Sequence, residues 1–290
     1  MKNLLAAAAA ACIAAGAHAQ SLPEGFEISG EVSYSYSFDS GNSFALGIGE
    51  ISVGYRYDLS ADTAIGAGLR SVLFFGDFKG SDDVAFYAYV DYQNFRLSYG
   101  AIDNAASHFD WDFAAFENTY FNAIPIALAP IGNSAEFLFT TDIIRIDAGF
   151  SNFDLSASYS AELDIFSVAG QAQFGDTRVL AAYENFFAGL DGIATLGVNH
   201  QMGNFEFGGV VGYLIGDAPF DYVARIAATY HVNDALSIKV LYLPEVGFFD
   251  VDFYELSATY QLTKIFSLGG SVNGNGMGDS FYGITASAKF

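Results

Sequence analysis

Ser107, His108 and Asp110 put a nucleophile, a base and an orienting carboxylate within four positions. Acyl transfer needs those three groups to meet in space, and chain neighbours seldom reach that geometry. The other histidines beyond the N-terminal segment are His200 and His231, and the single cysteine is Cys12. No set of nitrogen and sulfur ligands at zinc spacing can be assembled from them. Asp82 with Asp83, and Asp250 with Asp252, offer oxygen ligands of the calcium type, although a solvated acidic loop is the plainer reading. The expectation is no catalytic residue, no metal site and no cofactor.

Fixed charge is the remaining chemistry. Arg56, Arg70, Arg96, Arg145, Arg178, Arg225, Lys239 and Lys289 all fall on the phase opposite the apolar one, together with Glu27, Glu31, Asp91, Asp147, Asp154, Glu184, Glu206 and Glu255. Rows of fixed charge facing water select ions at close quarters. Arg70, Arg96 and Arg145 would set up a transverse field if carboxylates stood opposite. The plainer reading is that they pair with neighbouring acids and hold a wall together; for Arg56 and Lys289, at segment ends, a structural role is expected. Acidic residues outnumber basic ones 33 to 11, giving a net charge of −22. Such a chain repels a phosphate backbone, so no nucleic-acid partner is expected. A negative surface concentrates cations, which predicts weak cation selectivity for any pore it lines.

What could position such rows? The chain is 52% hydrophobic and 15% charged, against about 25% charged in an ordinary soluble domain. Disorder is excluded, and a mean hydropathy of +0.29 suggests a membrane protein. Lys2, the apolar run Leu4 to Ala17 and the ending Ala17-His18-Ala19 have the order of a cleavable secretory signal, with cleavage before Gln20. A lipoprotein reading of Cys12 would place cleavage too early in that run. Residues 20–290 then form one domain without cysteine. Its longest nearly unbroken apolar stretch, Ala123 to Ile131, is interrupted by Pro125 and Pro130, short of the ~20 residues of a spanning helix. A secreted β-rich globule or a closed barrel with its apolar side in lipid remains.

Period two separates these. Phe26, Ile28, Val32, Tyr34, Tyr36 and Phe38 alternate with Glu27, Ser29, Glu31, Ser33, Ser35 and Ser37, a strand pattern that no helix face produces. The alternation returns sixteen times, ending with Ser280 to Phe290. Sixteen strands leave roughly 17 residues for each strand and its connection, enough for the ~10 that a tilted strand needs to cross. An even number puts both chain ends on one side. Tight connections with Asn, Asp or Gly, such as Gly203-Asn204 and Asn233-Asp234, alternate with longer ones. Tyr57, Tyr92, Phe95, Phe150, Phe153, Phe174, Phe205, Tyr230, Tyr260, Phe266 and Phe290 gather at the tight rim as an interfacial girdle. The expected fold is an all-β transmembrane antiparallel barrel of sixteen strands, with a charged, water-filled interior.

Three features resemble the Gram-negative general porin family. The last strand ends in Phe290 with apolar residues, Tyr282 among them, at every second position, like the signal read by the outer-membrane insertion machinery. The strand number is sixteen. One long connection, residues 102–134 after the fifth strand, corresponds to the loop that the family folds into the lumen as a constriction. It carries the acids Asp103, Asp110, Asp112 and Glu117 among the aromatics Trp111, Phe113 and Phe116, and aromatic content of this kind argues for packing. No Pro-Glu-Phe motif of the enteric type is present, and most other loops are short. The resemblance implies a passive diffusion channel for ions and small hydrophilic solutes in the outer membrane, surrounded by lipid and assembled as a homotrimer. A substrate-selective channel, with the loop aromatics as a sugar track, is the nearer alternative; an outer-membrane barrel enzyme is the more distant one.

Overall fold

A computed structural model describes residues 23–38, 43–77, 83–109, 111, 113, 115, 142–185, 190–216, 222–244, 252–276 and 278–290. The candidate signal segment and the candidate loop residues Asp110, Asp112, Phe116 and Glu117 lie outside the described residues.

Sixteen strands follow one another without a helix among the described residues. They are β1 (Phe26–Phe38), β2 (Ser43–Ser60), β3 (Thr63–Gly76), β4 (Asp83–Tyr92), β5 (Phe95–Gly100), β6 (Ile143–Gly149), β7 (Phe153–Ser160) and β8 (Ile165–Phe174). The second half comprises β9 (Thr177–Glu184), β10 (Leu190–Met202), β11 (Phe205–Gly216), β12 (Tyr222–His231), β13 (Leu236–Leu243), β14 (Phe253–Gln261), β15 (Phe266–Asn275) and β16 (Ser280–Lys289). Each pairs antiparallel with its chain neighbours, and β1 pairs with β16 from Glu31↔Lys289 to Phe38↔Tyr282, closing the barrel. Closure leaves no ladder edge, the condition for a sheet to live in lipid.

Side chains alternate between the two faces of every strand. The outward phase is apolar and open: Ile144, Ile146, Leu155, Leu196, Val240 and Leu256 are each about half exposed. All eight Lys and Arg residues within the described strands fall on the inward phase. A soluble sandwich would bury the apolar phase; here that phase forms the outer surface.

The tight rim is built as the sequence predicts. Gly203 adopts φ 61° in the β10–β11 turn, a left-handed geometry that suits glycine. Asn94 Nδ2 donates to Gly149 O at 2.9 Å, tying the β4–β5 turn to the end of β6. Rim aromatics stack, as in Phe150 with Phe153 at 4.4 Å between ring centroids. The opposite rim differs from expectation at its first connection. Alternation is evident in the sequence from Ile51, yet β2 begins at Ser43. Glycines 47 and 49 replace apolar residues on the outward phase there, which hides the period from a hydrophobicity count.

Candidate functional site

The long connection runs from Gly100 to Ile143, and its described portion lies inside the barrel. Two unlike walls receive it.

The wall formed by β2 to β6 is ionic. Arg96 on β5 donates to Asp91 on β4 through Nε at 2.6 Å and Nη2 at 3.0 Å, and Arg56 on β2 bonds the same carboxylate. Arg56 Nε also reaches Asp58 at 3.0 Å. Arg96 lies over the Tyr89 ring at 4.2 Å, and Tyr89 OH donates to Glu27 at 3.3 Å. Arg70 Nη2 donates to Glu50 Oε2 at 2.7 Å and to Asp103 Oδ1 at 2.5 Å. Arg145 Nε donates to Asp147 Oδ2 at 3.0 Å, and its Nη1 donates to the Asp103 carbonyl at 2.9 Å. Arg70 and Arg145 are buried, so their charges require these partners. The first loop acid, Asp103, is thus held twice by the wall.

Beyond Asp103 the loop turns on Asn104. Its Oδ1 accepts the Ser107 amide at 2.8 Å, its carbonyl accepts the His108 amide at 3.0 Å, and its Nδ2 bonds buried Glu184 on β9. Two amides that this turn leaves without a backbone partner are taken up by inward serines: Ala105 N donates to Ser158 Oγ at 2.8 Å and Ala106 N to Ser167 Oγ at 2.9 Å. Buried amides are costly when unpaired, so these serines fix the path of the loop. His108 is the exposed residue of the segment, with Nε2 3.7 Å from Asp147 Oδ1.

The facing wall is apolar, and here the expectation of a wholly charged, water-filled interior is corrected. Ala105, Phe109, Trp111 and Phe113 form one buried cluster with Ala169, Leu180, Ile193, Val210, Leu214, Val223, Ala227, Leu241 and Leu243 from β8 to β13. Those strand residues share the inward phase with Arg178, Arg225 and Lys239. Strands such as β13, Leu-Ser-Ile-Lys-Val-Leu-Tyr-Leu, are apolar on both phases toward one end, so the inner face carries its own hydrophobic patch. Two glycines make room for the loop rings. A Cβ on Gly197 would stand 2.8 Å from Trp111 Cζ3, and one on Gly208 would stand 2.4 Å from Phe113 Cδ2. Trp111 Nε1 donates to Ala106 O at 2.9 Å, and Arg178 lies 5.4 Å from the Phe113 ring centre. Trp111 and Phe113 are therefore buried anchors and present no stacking face to a solute.

Of the predicted site residues, Arg70, Arg145 and Asp103 meet directly, while Arg56 and Arg96 meet each other through Asp91. Arg178 lies against Phe113, and Arg225 is on β12, on the inward phase that also carries Val223 and Ala227 of the apolar cluster. Lys289 reaches Glu31 at 3.5 Å at the barrel seam. Tyr282 stacks on Phe38 at 5.6 Å, and Phe290 exchanges backbone bonds with Gly30 at 2.8 and 3.0 Å. His231 Nε2 is 3.3 Å from Glu206, and His200 lies on the outward phase near Thr177. No group of three or more His, Cys, Asp or Glu residues able to hold a metal occurs among the described residues. Sequence reasoning missed Glu50, Asn104, the two serines and the two glycines. Glycine within a strand is itself a signal of close approach, and it could have located Gly197 and Gly208.

No protein-family profile matches the chain. No curated protein matches it either. Solved structures do. Two substituted variants of the porin from Rhodopseudomonas blastica align with 91% of this chain and 100% of their own, both at a TM-score of 0.71, with 16% and 14% sequence identity. A structure described as asymmetric conductivity of engineered proteins aligns over the same shares at a TM-score of 0.68 and 14% identity. This chain is similar to them in fold, a closed barrel of sixteen antiparallel strands.

Proposed function

We propose that this protein is a passive diffusion channel for ions and small hydrophilic solutes across the outer membrane of a Gram-negative bacterium. One observation carries the reading: the closed barrel turns its apolar phase outward and its strand cations inward, onto a loop held within the lumen. Such an inside-out polarity is stable only with lipid outside and water inside. The barrels that share its fold include a bacterial porin, which supports the same reading.

Water follows the ionic wall, because the inward residues of β9 to β13 are largely covered. Along that wall and the adjoining seam of β1 and β16, Glu27, Glu31, Glu50, Asp58 and Asp103 stand with Arg56, Arg96 and Lys289 at the solvent side among the described residues. Carboxylates prevail, so the channel is weakly cation-selective. Export uses a signal cleaved before Gln20, insertion uses the Phe290 strand as its recognition element, and the working unit is a homotrimer. No catalysis accompanies transport.

Purified protein in planar bilayers should give stepwise conductance with a reversal potential favouring the cation in a salt gradient. Solute-swelling rates of loaded liposomes should fall smoothly with solute size. Saturation with one solute would favour a selective channel, and a folded barrel without conductance would overturn the proposal. Crosslinking of the intact outer membrane should yield a species of three chains.

A further inference from the structure

His108 is not used by the diffusion reading as it stands, yet its surroundings give it a role in that reading. The imidazole is the exposed group of the loop segment that the ionic wall holds in the lumen. Nε2 stands 3.7 Å from Asp147 Oδ1 on β6, too far for a formed hydrogen bond and close enough to become one. Asp147 already accepts from Arg145 Nε and Ser156 Oγ, so its charge is partly compensated. The other charged groups facing the imidazole are Arg145 on β6, Arg96 on β5 and Asp103 of the loop itself. Phe109 packs beside the ring at a tilt of 55°, with centroids 5.2 Å apart.

We propose that His108 is a selectivity-determining residue of the channel: neutral, it leaves the carboxylates of the constriction in charge of the passing ions, and protonated, it cancels one of them. The inference rests on the channel reading above. Geometry supplies the mechanism. Asp103 and Asp147 flank the ring, while Arg70, Arg96 and Arg145 are committed to acids or to a carbonyl. The two arginines and two aspartates facing the ring cancel one another, so a single added proton makes this local set positive against the carboxylates that prevail along the rest of the wall. Partial loss of water around the ring, enclosed between loop and wall, is the main influence holding the imidazole below its ordinary value of about 6.5, helped by Arg145 and Arg96 and opposed by Asp147 and Asp103. The switch consequently falls on the acid side of neutrality.

The test is the reversal potential of the full-length mature channel in neutral-lipid bilayers, read at about pH 7.5 and pH 5. The native chain should lose cation preference by roughly two- to fivefold on acidification, the factor that one unit charge about 4 to 8 Å from an ion path produces in water. His108→Asn should abolish that change and keep the neutral-pH selectivity at both values. His108→Lys should show the acid-form selectivity already at pH 7.5, so a correctly folded Lys variant tests the idea even if the Asn variant assembles poorly. An undiminished pH response in His108→Asn, or neutral-pH selectivity in His108→Lys that matches the native chain, would overturn the assignment. So would a native channel whose selectivity ignores pH in this range. Folded barrels without conductance at either pH would instead overturn the channel reading, and this inference with it.

Discussion

Gly208 lies directly beneath the ring of Phe113, so close that a Cβ there would stand 2.4 Å from Phe113 Cδ2. The absence of a side chain on β11 is thus part of the loop's seat. One residue along the strand, on the lipid-facing phase, a Cβ on Gly209 would make only an ordinary contact, 3.7 Å from the Arg225 carbonyl oxygen.

The pair makes a controlled experiment. Gly208→Ala drives Phe113 off the wall and should cost about 1–3 kcal/mol, the usual penalty for overpacking. Gly209→Ala should stay within about 0.5 kcal/mol. Urea unfolding in lipid vesicles measures both. Because Phe113 anchors the loop, the Gly208 variant should also show altered single-channel conductance, and the Gly209 variant should not.

Asp103 is the second anchor. Its carboxylate meets Arg70 while its carbonyl meets Arg145, so the two contacts respond differently to substitution. Asp103→Asn leaves the carbonyl bond and the Arg70 to Glu50 pair in place but removes a partly exposed negative charge. Cation over anion permeability should fall about twofold, the effect of one screened charge near the ion path. Arg70→Ala leaves Glu50 and Asp103 facing each other unpaired, and should loosen the loop root as well. Larger current noise in Arg70→Ala than in Asp103→Asn would separate positioning from field. Equal noise in the two would assign Arg70 to the field alone.

These residues show where sequence was readable and where it was not. Arg70, Arg96 and Arg145 announce their direction because each interrupts an apolar alternation, and a charge on the lipid side is too costly to leave there. Strand number follows from the same period. Leu180, Leu241 and Leu243 announce nothing: an inward leucine in a strand apolar on both faces looks like one more lipid contact, and only the distant loop explains its burial. Asn104 and its serine partners are silent for a similar reason. Ser158 and Ser167 sit on the polar phase, as do many serines of this chain, and their partners lie 53 and 61 positions away. Local periodicity fixes the face of a residue; long-range partners choose its role.

The lipid-facing assignment can be challenged at adjacent positions of β6. Arg145 is inward and buried among acids, while Ile146 is outward and half exposed. Ile146→Lys places a charge in the apolar band and should destabilise the inserted barrel by up to about 2–4 kcal/mol, depending on depth. Unfolding in vesicles should reveal this cost. A near-neutral effect would mean that this wall does not face lipid.

Phe290 combines two roles that substitution can separate. Its backbone exchanges two hydrogen bonds with Gly30 across the seam, and its ring lies over Gly30, where a Cβ would come within 3.1 Å of Phe290 Cζ. Phe290→Ala keeps the backbone bonds and loses only the ring packing, so refolding into vesicles should proceed with a modest loss, on the order of 1 kcal/mol. In cells the same variant should accumulate far less folded barrel in the outer membrane, on the proposal that the terminal ring is the element the insertion machinery reads. Deletion of Phe290 removes the ring and the seam bonds together, and should impair both. The readouts are refolding yield in pure lipid and folded barrel recovered from membranes. If Phe290→Ala impaired the two in equal proportion, the ring would be a seam contact and no signal.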